Sequence, residues 1–261
     1  MPSTASAPAA TTVGFCPPDV GRLQTVHVCA IHQPNLLPRL STLAKLYASD
    51  VWVVLDDVQF ARRDYQHRAR LASLDDQRHQ QWLSLETHLP FGRATRIRDV
   101  QLVDPARAVR RLLQLPAQHY HASPHWPDLH LALTSSVPAI GNAGRTAAVA
   151  EASTRALLNL LGWRGTVLRS SDLPTSSGRS ARLADLAVSV DADTYLCGTG
   201  GMRYLDHRIF AEQHIRVHAF RPPSSAEDLW SEATEVSALW ALARYGPSRV
   251  RAALDELRAT I

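Results

Sequence analysis

The sequence predicts an α/β protein built on a mostly parallel, doubly wound (Rossmann-like) sheet with helical additions. Several short apolar runs have the length and composition of buried strands. They are residues 26–31, 51–55, 166–170, 193–197 and 215–220. Segments with a helical spacing of apolar residues separate these runs, at 41–48, 146–161 and 180–190. Strands that alternate with helices favour a parallel sheet covered on both faces.

The other segments add helices and two further strands to this core. We expect helices at 105–121, 204–213, 236–243 and 248–258, and strands at 81–86 and 97–103. Residues 123–128 contain two prolines and are expected to form a loop. Ser41 or Thr42 is the expected N-cap of the first helix. These elements give a disordered leader at 1–24, one domain at 25–246, and a C-terminal helix at 247–261 packed on that domain.

Composition narrows the class of protein. The 261 residues are 45% hydrophobic, which suits one large α/β domain, and no apolar run reaches the roughly 20 residues of a membrane helix. The Ala-, Pro-, Ser- and Thr-rich start lacks the basic and apolar parts of a signal peptide. The three cysteines have no metal-ligand spacing. We therefore expect a cytoplasmic protein that uses no membrane, no disulfide framework and no cysteine-based metal site.

The basic charge points to anionic ligands rather than to a dedicated nucleic-acid protein. The formal net charge is +4, and Lys45 is the only lysine. The arginines are spread along the chain without a basic tail or an aromatic-basic repeat, so nucleic-acid binding is weakly supported. Arginine also binds phosphate and carboxylate groups in bidentate fashion. A small anionic substrate would use the same residues.

Polar side chains follow four of the predicted strands. His32 and Asn35 come after the first strand, and the pair Asp56-Asp57 comes after the second. Ser170-Ser171-Asp172 and the turn Gly198-Thr199-Gly200-Gly201 follow two later strands. In parallel sheets, ligands bind beyond the carboxyl ends of the strands. We therefore expect these groups to lie around one site, although each of them alone also fits a loop, a cap or a turn.

The residue types suggest roles in catalysis. His32 titrates near neutral pH and can accept or donate a proton. Asn35 lies three residues further on, across a proline bend, and can face the same space. Adjacent residues leaving a strand point in opposite directions, so only one of Asp56 and Asp57 is expected to face the site, and Asp57 is favoured. Its carboxylate could bind magnesium, orient an amine or act as a base.

Two further segments suggest anion binding. Arg62, Arg63, Gln66, Arg68 and Arg70 lie close together and form either an anion clamp, with Gln66 and Arg68 as its main members, or a solvated helix face. Glycines 198, 200 and 201 permit positive φ and a close approach of the backbone to a phosphate or carboxylate. The turn is neither a dinucleotide fingerprint nor a P-loop. Cys197 is expected to be a small buried hydrophobe rather than a nucleophile, and the reactivity of Cys197 and Cys29 is left open.

These residues resemble the WbqC-like family from about Thr25 to Gly246. The opening resemblance is carried by Ile31-His32-Gln33-Pro34-Asn35, Leu37-Pro38, Lys45, Asp50-Val51, Leu55-Asp56-Asp57-Val58-Gln59 and Gln66-His67-Arg68-Ala69-Arg70. The later resemblance is carried by Ser170-Ser171-Asp172-Leu173, Arg182-Leu183, the run Ala192 to Gly198, Gly200-Gly201 and Tyr204-Leu205. His67 and Ala69 stand where the family usually has asparagine, and Cys197 and Thr199 replace the commoner serine and proline.

The resemblance implies a role in building surface polysaccharides or natural products, and some members of the family are named as glycine or aminoacyl transferases. A more distant likeness is to nucleotidylyltransferases and pantothenate synthetase, in which a His-x-Gly-His element contacts the phosphates of ATP. Here proline replaces that glycine and Asn35 replaces the second histidine, so ATP and magnesium follow only from an analogy of fold. The cofactor therefore stays open.

Three hypotheses follow from the sequence. The first is a transferase that forms an amide or acyl bond on a small metabolite, with ATP adenylating a carboxylate. The second transfers an acyl or aminoacyl group from an acyl or peptidyl carrier protein or a tRNA without ATP. The third is a non-catalytic binding subunit, and a homodimer is compatible with each. The expected catalytic residues are His32, Asn35 and Asp57. The expected substrate-binding residues are Gln33, Lys45, Asp56, Gln59, Arg63, Gln66, Arg68, Ser171, Gly198, Gly200, Gly201 and Tyr204.

Overall fold

A computed structural model describes residues 26–141, 144–223 and 229–261. The strands are β1 Val28–His32, β2 Val51–Val54, β3 Arg68–Ala72, β4 Gln80–Ser84, β5 Thr87–His88, β6 Gln101–Leu102, β7 Thr166–Arg169, β8 Thr194–Gly198 and β9 Arg216–Phe220. The helices are α1 Leu40–Tyr47, α2 Pro105–Tyr120, α3 Trp126–Ser135, α4 Pro138–Gly141, α5 Thr146–Leu160, α6 Arg179–Val188, α7 Thr199–Met202, α8 His207–Glu212, α9 Ala238–Tyr245 and α10 Pro247–Arg258. The expected leader at 1–24 lies outside the described residues.

The main sheet confirms the predicted α/β class. Five parallel strands lie in the order β7-β2-β1-β8-β9. The chain runs outward from β1 through β2 to β7, and then returns to the other side of β1 for β8 and β9. The order therefore reverses between β1 and β8, and a crevice opens at such a switch point, beyond the carboxyl ends of the strands.

Helices cover both faces of the sheet because successive strand residues point to opposite sides. On one face, Ala30 and Trp52 belong to a large core that also contains side chains of α1, α2, α5, α9 and α10. On the other face, Cys29, Ile31 and Cys197 belong to a smaller core with α6 and α8. Strands buried on both faces read as continuous apolar runs, which is why the sequence shows them clearly.

Four local predictions are wrong. The strand expected at 97–103 is only Gln101–Leu102, because Ile97–Asp99 forms a 3₁₀ turn before it. The other three have the following physical reasons. Residues 123–128 do not form only a loop, since α3 begins at Trp126 and proline is tolerated in a first helical turn, where its missing N–H is not needed. Helix α1 begins at Leu40 after Arg39, without a side-chain cap from Ser41 or Thr42. The arginine stretch does not form a helix face, because Arg68 and Arg70 lie in strand β3, where they alternate with the buried Ala69 and Leu71, and Arg62, Arg63 and Gln66 lie in the loop before it.

The C-terminal helix α10 packs against α1 and α9 and contributes Val250 and Leu254 to the larger core. Gly246 separates α9 from α10 with a φ of 83°, a left-handed value that favours glycine. Within the described ranges, no helix combines the length and apolar character needed to cross a bilayer.

Candidate functional site

A crevice of about 490 Å³ lies at the switch point between β1 and β8. Its wall comes from the loop after β1, the first turns of α1, the turn after β8 and the segment after β9. The lining residues that carry polar groups are His32, Gln33, Arg39, Ser41, Thr42, Lys45, Tyr195, Cys197, Thr199 and Thr234. Most of these groups can donate hydrogen bonds, and no carboxylate is among the lining residues that the structure describes.

The loop after β1 has one defined shape that aims its side chains at the crevice. Pro34 and Pro38 restrict φ, and Leu37 adopts a φ of 43°, which is uncommon for a non-glycine residue. The loop is held by its own backbone donors. Leu36 N donates to Tyr65 O at 2.9 Å, and Leu37 N donates to Ser153 Oγ at 3.0 Å. Backbone strain of this kind persists only where the surroundings fix it.

His32 ends β1 and borders the crevice as a neutral imidazole. Its carbonyl accepts a hydrogen bond from Trp52 Nε1 at 3.2 Å, and Asn35 Nδ2 lies 3.5 Å from its Nε2. Burial, together with the nearby charges of Lys45 and Arg39, holds the pKa of His32 well below its ordinary value. The neutral ring therefore carries a lone pair on Nε2, which faces the amide donor of Asn35. Asn35 itself is buried and serves as the neighbour of the ring.

Lys45 is the most unusual group in the crevice. The side chain comes from α1 and the residue is only 6% exposed. Its Nζ has one hydrogen-bond partner, Ile31 O, at 3.4 Å, and among the described residues no carboxylate lies within 4.0 Å of it. Burial lowers the pKa of Lys45 to about 8, although the thiols of Cys197 and Cys29 act in the opposite direction. Within the described ranges, the single lysine of the chain is thus buried without an acidic partner.

The glycine turn after β8 closes the crevice from the other side. Glycines 198, 200 and 201 do not use positive φ, so that part of the expectation is wrong, while the close approach of the backbone to an anion stays a prediction. Space explains one of them, because a Cβ on Gly201 would come within 2.7 Å of Cys197 Sγ. A Cβ on Gly198 would lie 3.9 Å from Lys45 Nζ, whereas one on Gly200 would meet nothing within 4 Å. The turn therefore leaves room beside the ammonium group.

The cysteines do not present thiolates to this site. Cys29 and Cys197 are both fully buried, on the side of the sheet that faces α6 and α8. Burial raises the pKa of Cys29 to about 12 and also raises the pKa of Cys197. A neutral thiol is a poor nucleophile, and this agrees with the expectation that Cys197 is a small buried hydrophobe.

Asp56 and Asp57 lie beyond β2, beside the crevice rather than in it. Asp56 is buried and accepts hydrogen bonds from Ser171 N at 3.1 Å and Ser171 Oγ at 3.0 Å. Asp57 accepts a hydrogen bond from Ser170 Oγ at 2.5 Å and forms an ion pair with Arg182 of α6. Burial alone would raise the pKa of Asp57, but Ser170 and Arg182 together lower it below its ordinary value.

The two carboxylates do not point in opposite directions, because the chain leaves the strand geometry directly after β2. Ser170 Oγ also lies 3.2 Å from Asp56 Oδ1, so both aspartates meet the same serine. Asp57 additionally lines a shallow depression of about 440 Å³ together with Gln59, Arg93 and Arg96. The structure thus gives Asp57 a place near, but separate from, His32 and Asn35.

The remaining expected site residues divide between the crevice wall and other surfaces. Gln66 is buried and donates to Gln33 Oε1 at 2.7 Å, which places it behind the crevice. Arg68 donates to the carbonyls of Asp64 and Arg63 and stacks on Trp82 with its Cζ 4.3 Å from the ring centroid. Its guanidinium is therefore occupied by the protein itself.

Arg63 and Tyr204 are exposed and do not line the crevice. The guanidinium of Arg179 lies 5.3 Å from the centroid of the Tyr204 ring. Sequence reasoning missed Arg39 and Thr42 as lining residues and Arg182 as the partner of Asp57, and it gave Thr199 a place in the glycine turn but no binding role. The position of Thr199 in the glycine turn was a usable signal, whereas the partner of Asp57 is far away in sequence.

The fold and the crevice define an α/β protein with a ligand site at the switch point of a parallel sheet. The sequence model of the WbqC-like protein family matches residues 33–249, and the chain belongs to this family. A relative is the uncharacterized protein Rv1507c of Mycobacterium tuberculosis (strain ATCC 25618 / H37Rv). It is 25% identical over 193 residues, which cover 73% of this chain and 80% of the relative. No solved structure matches the chain.

Proposed function

We propose that the protein is a transferase that forms an amide or related acyl bond on a small anionic metabolite, with the crevice as its active site. The observation that carries this proposal is the burial of Lys45 without a carboxylate partner in the part of the chain that the structure describes. A buried charge is costly unless it is paired, so a site that keeps one unpaired is prepared for a charge that arrives with a ligand. A carboxylate or a phosphate supplies that charge.

The crevice also contains the second group that acyl transfer needs. When an amine attacks an acyl carbon, the new C–N bond forms, the amine loses a proton, and the leaving group departs with the electron pair of the broken bond. Neutral His32 can take that proton. Lys45 stabilises the negative charge that develops on the acyl oxygen or on the leaving group. An anionic ligand near His32 opposes the effect of Lys45 and Arg39, so ligand binding raises the pKa of the ring and makes it a stronger base.

The acyl group is activated by ATP in the favoured form of this proposal. A carboxylate oxygen would attack the α-phosphorus of ATP and release pyrophosphate, and an amine would then displace AMP to complete the bond. In the part of the chain that the structure describes, no group of three or more His, Cys, Asp or Glu residues is arranged to hold a metal. Magnesium would therefore arrive with the nucleotide, coordinated mainly by phosphate and water.

Thermal unfolding tests the proposal directly. We expect small anions to raise the melting temperature of the wild-type protein, because a ligand at a hundredfold excess over its Kd stabilises the folded state by about 2.7 kcal/mol. The probes are ATP with magnesium, pyrophosphate, inorganic phosphate, small carboxylates and amino acids. Lys45→Met should weaken the binding of the active anion roughly a hundredfold, which is about 3 kcal/mol for a desolvated charge pair.

Arg164→Gln is the matched control. It removes one positive charge from an exposed residue just before β7, at the amino ends of the strands and therefore on the side of the sheet opposite the crevice. An anion-induced shift that is equal in the wild type and in Lys45→Met would contradict the proposal. Adenylation is supported if ATP alone raises the melting temperature and if adding a carboxylate then releases pyrophosphate. His32→Ala should lose that pyrophosphate release. A shift by carboxylates without any shift by nucleotides excludes it.

A second form of the same chemistry is favoured by a separate observation. Arg62, Arg63, Arg93 and Arg96 are exposed, and among the described residues none of their side chains makes an ion pair. The segments that bear them run side by side, since Phe60 N donates to Thr95 O at 3.0 Å. This arginine surface lies at the carboxyl edge of the sheet. It fits a donor bound to an acidic carrier protein or to tRNA, which would dock there and place its acyl group in the crevice.

Binding of two macromolecular probes tests this second form. We expect holo-acyl carrier protein to bind the wild type and to bind Arg93→Gln/Arg96→Gln about tenfold more weakly, with binding that weakens as salt is raised from 50 to 200 mM. Total tRNA is the competing probe, and its preference would identify RNA as the donor. Fluorescence anisotropy gives both affinities, with Arg164→Gln as control. Equal binding by the wild type and the double variant would exclude the arginine surface as the docking site.

A further inference from the structure

Gln33 and Gln66 form a pair of linked amides at the wall of the crevice. Gln33 directly follows β1 and lines the crevice. Gln66 is completely buried behind it, and its Nε2 lies 2.7 Å from Gln33 Oε1 and 3.1 Å from Asp64 Oδ2. The two glutamines are 33 residues apart in sequence and meet only in the folded chain.

The charge of Asp64 sets the direction of both amides. An ionised carboxylate only accepts hydrogen bonds, so Gln66 must turn its NH2 group, not its oxygen, toward Asp64. The second hydrogen of that NH2 group reaches Gln33, which must therefore present its oxygen. This orientation leaves Gln66 Oε1 buried without a hydrogen-bond partner among the described residues, which costs folding free energy. That unpaired oxygen is tolerated because the reverse orientation would place it against a carboxylate.

Because the Gln33 amide is fixed in this direction, only its Nε2 donor is left to bind a ligand. Its Oε1 is used by Gln66, and its Nε2 has no hydrogen-bond partner in the described part of the protein. We infer that Gln33 Nε2 is a preset donor that recognises an acceptor oxygen of the ligand, with Gln66 and Asp64 as positioning residues. This inference rests on the proposed function and adds to it the chemistry of the recognised group, which is a carbonyl, carboxylate or phosphate oxygen. A ligand that presents an N–H group at this point is rejected.

Side-chain amide signals in ¹⁵N NMR spectra test the inference. The Nε2 signals of Gln33 are assigned by their loss in Gln33→Met, and those of Gln66 by their response to Asp64→Asn. The titrants are inorganic phosphate and acetate. We expect both anions to shift the Gln33 signals in a saturable way, whereas ammonium chloride at equal ionic strength leaves them unchanged. In Asp64→Asn the amides lose their fixed direction, and the affinity for the anions should fall about three- to tenfold.

Gln33→Glu replaces the amide donor with a carboxylate in a side chain of almost the same shape. We expect the affinity for anions to fall more than tenfold because that donor is lost. The chain offers Arg164→Gln as a variant that should retain wild-type titrations. If anions shift signals in a Lys45-dependent way while the Gln33 signals stay fixed, the inference is wrong and the proposed function stands. If no anion produces a Lys45-dependent effect, the proposed function falls and the inference falls with it. If Asp64→Asn binds the anions with wild-type affinity, Asp64 does not position the amides.

Discussion

Lys45→Met is expected to raise the free energy of unfolding at pH 7 while it weakens anion binding in the crevice roughly a hundredfold. The pKa of Lys45 lies at about 8, compared with its ordinary value of 10.5. At 1.36 kcal/mol per pH unit, the charged form costs the folded state on the order of 3 kcal/mol. Methionine has a similar shape without the charge. A substitution that stabilises a protein and weakens its binding marks a functional site rather than a structural one.

The pH dependence follows from the direction of this pKa shift. Because the folded-state pKa of Lys45 is lowered, its side chain binds more protons in the unfolded chain than in the folded protein between pH 8 and 10.5, and its own contribution to stability rises with pH through that window. Below pH 8 Lys45 is charged in the folded protein, and the full cost of burying that charge is subtracted from the free energy of unfolding. Urea denaturation of the wild type and Lys45→Met at pH 7 and pH 10.5 measures both limits, and the difference between the two proteins should shrink at the higher pH. A variant that is less stable than the wild type at pH 7 would contradict the expectation.

Anion binding by the wild type should also take up protons. At pH 8 about half of the Lys45 side chains are charged, and an anion in the crevice raises the pKa of the amine. We expect an uptake approaching half a proton for each anion bound. Isothermal titration calorimetry in two buffers with different ionisation enthalpies measures this number, and Lys45→Met should reduce it to near zero.

Asp56→Ala is expected to destabilise the protein by about 2–4 kcal/mol. Asp56 is 4% exposed as a residue, and its carboxylate accepts hydrogen bonds from Ser171 N and Ser171 Oγ, at 3.1 and 3.0 Å. These bonds join the end of β2 to the turn after β7. Alanine leaves the partly buried donors of Ser171 without their acceptor, which costs more than the loss of the bonds themselves.

Chemical denaturation of Asp56→Ala, Asp56→Asn and Asp57→Ala distinguishes a structural aspartate from a functional one. Asp56→Asn keeps one acceptor oxygen and should cost less than Asp56→Ala. Asp57→Ala should also cost less, because Asp57 and its partner Arg182 both retain contact with solvent. If the free energy of unfolding of Asp56→Ala lies within about 0.5 kcal/mol of the wild-type value, the turn does not depend on this carboxylate. Asp56 would then again be a candidate for substrate binding.

The local predictions succeeded where burial leaves a periodic pattern. Strands such as β2 and β8 are covered on both faces, and their apolar runs were visible without any knowledge of their partners. Helix α5 was similarly clear, and Gly162 ends it with a φ of 80°. The prediction failed at α3, where proline was taken as a loop signal although it stands in a first helical turn. Proline has two meanings, and only the context of the chain separates them.

The amino-acid sequence by itself determined the α/β class, the family resemblance, and the polar groups that follow the strands. These depend on local spacing, which a single stretch of chain already contains. Only the tertiary structure decided that His32 and Lys45 share a crevice while Asp56 and Asp57 stand beside it. It also decided that Gln66 lies behind Gln33. The order of strands in the sheet and the burial of each charge depend on contacts between distant segments, and no local pattern encodes those contacts.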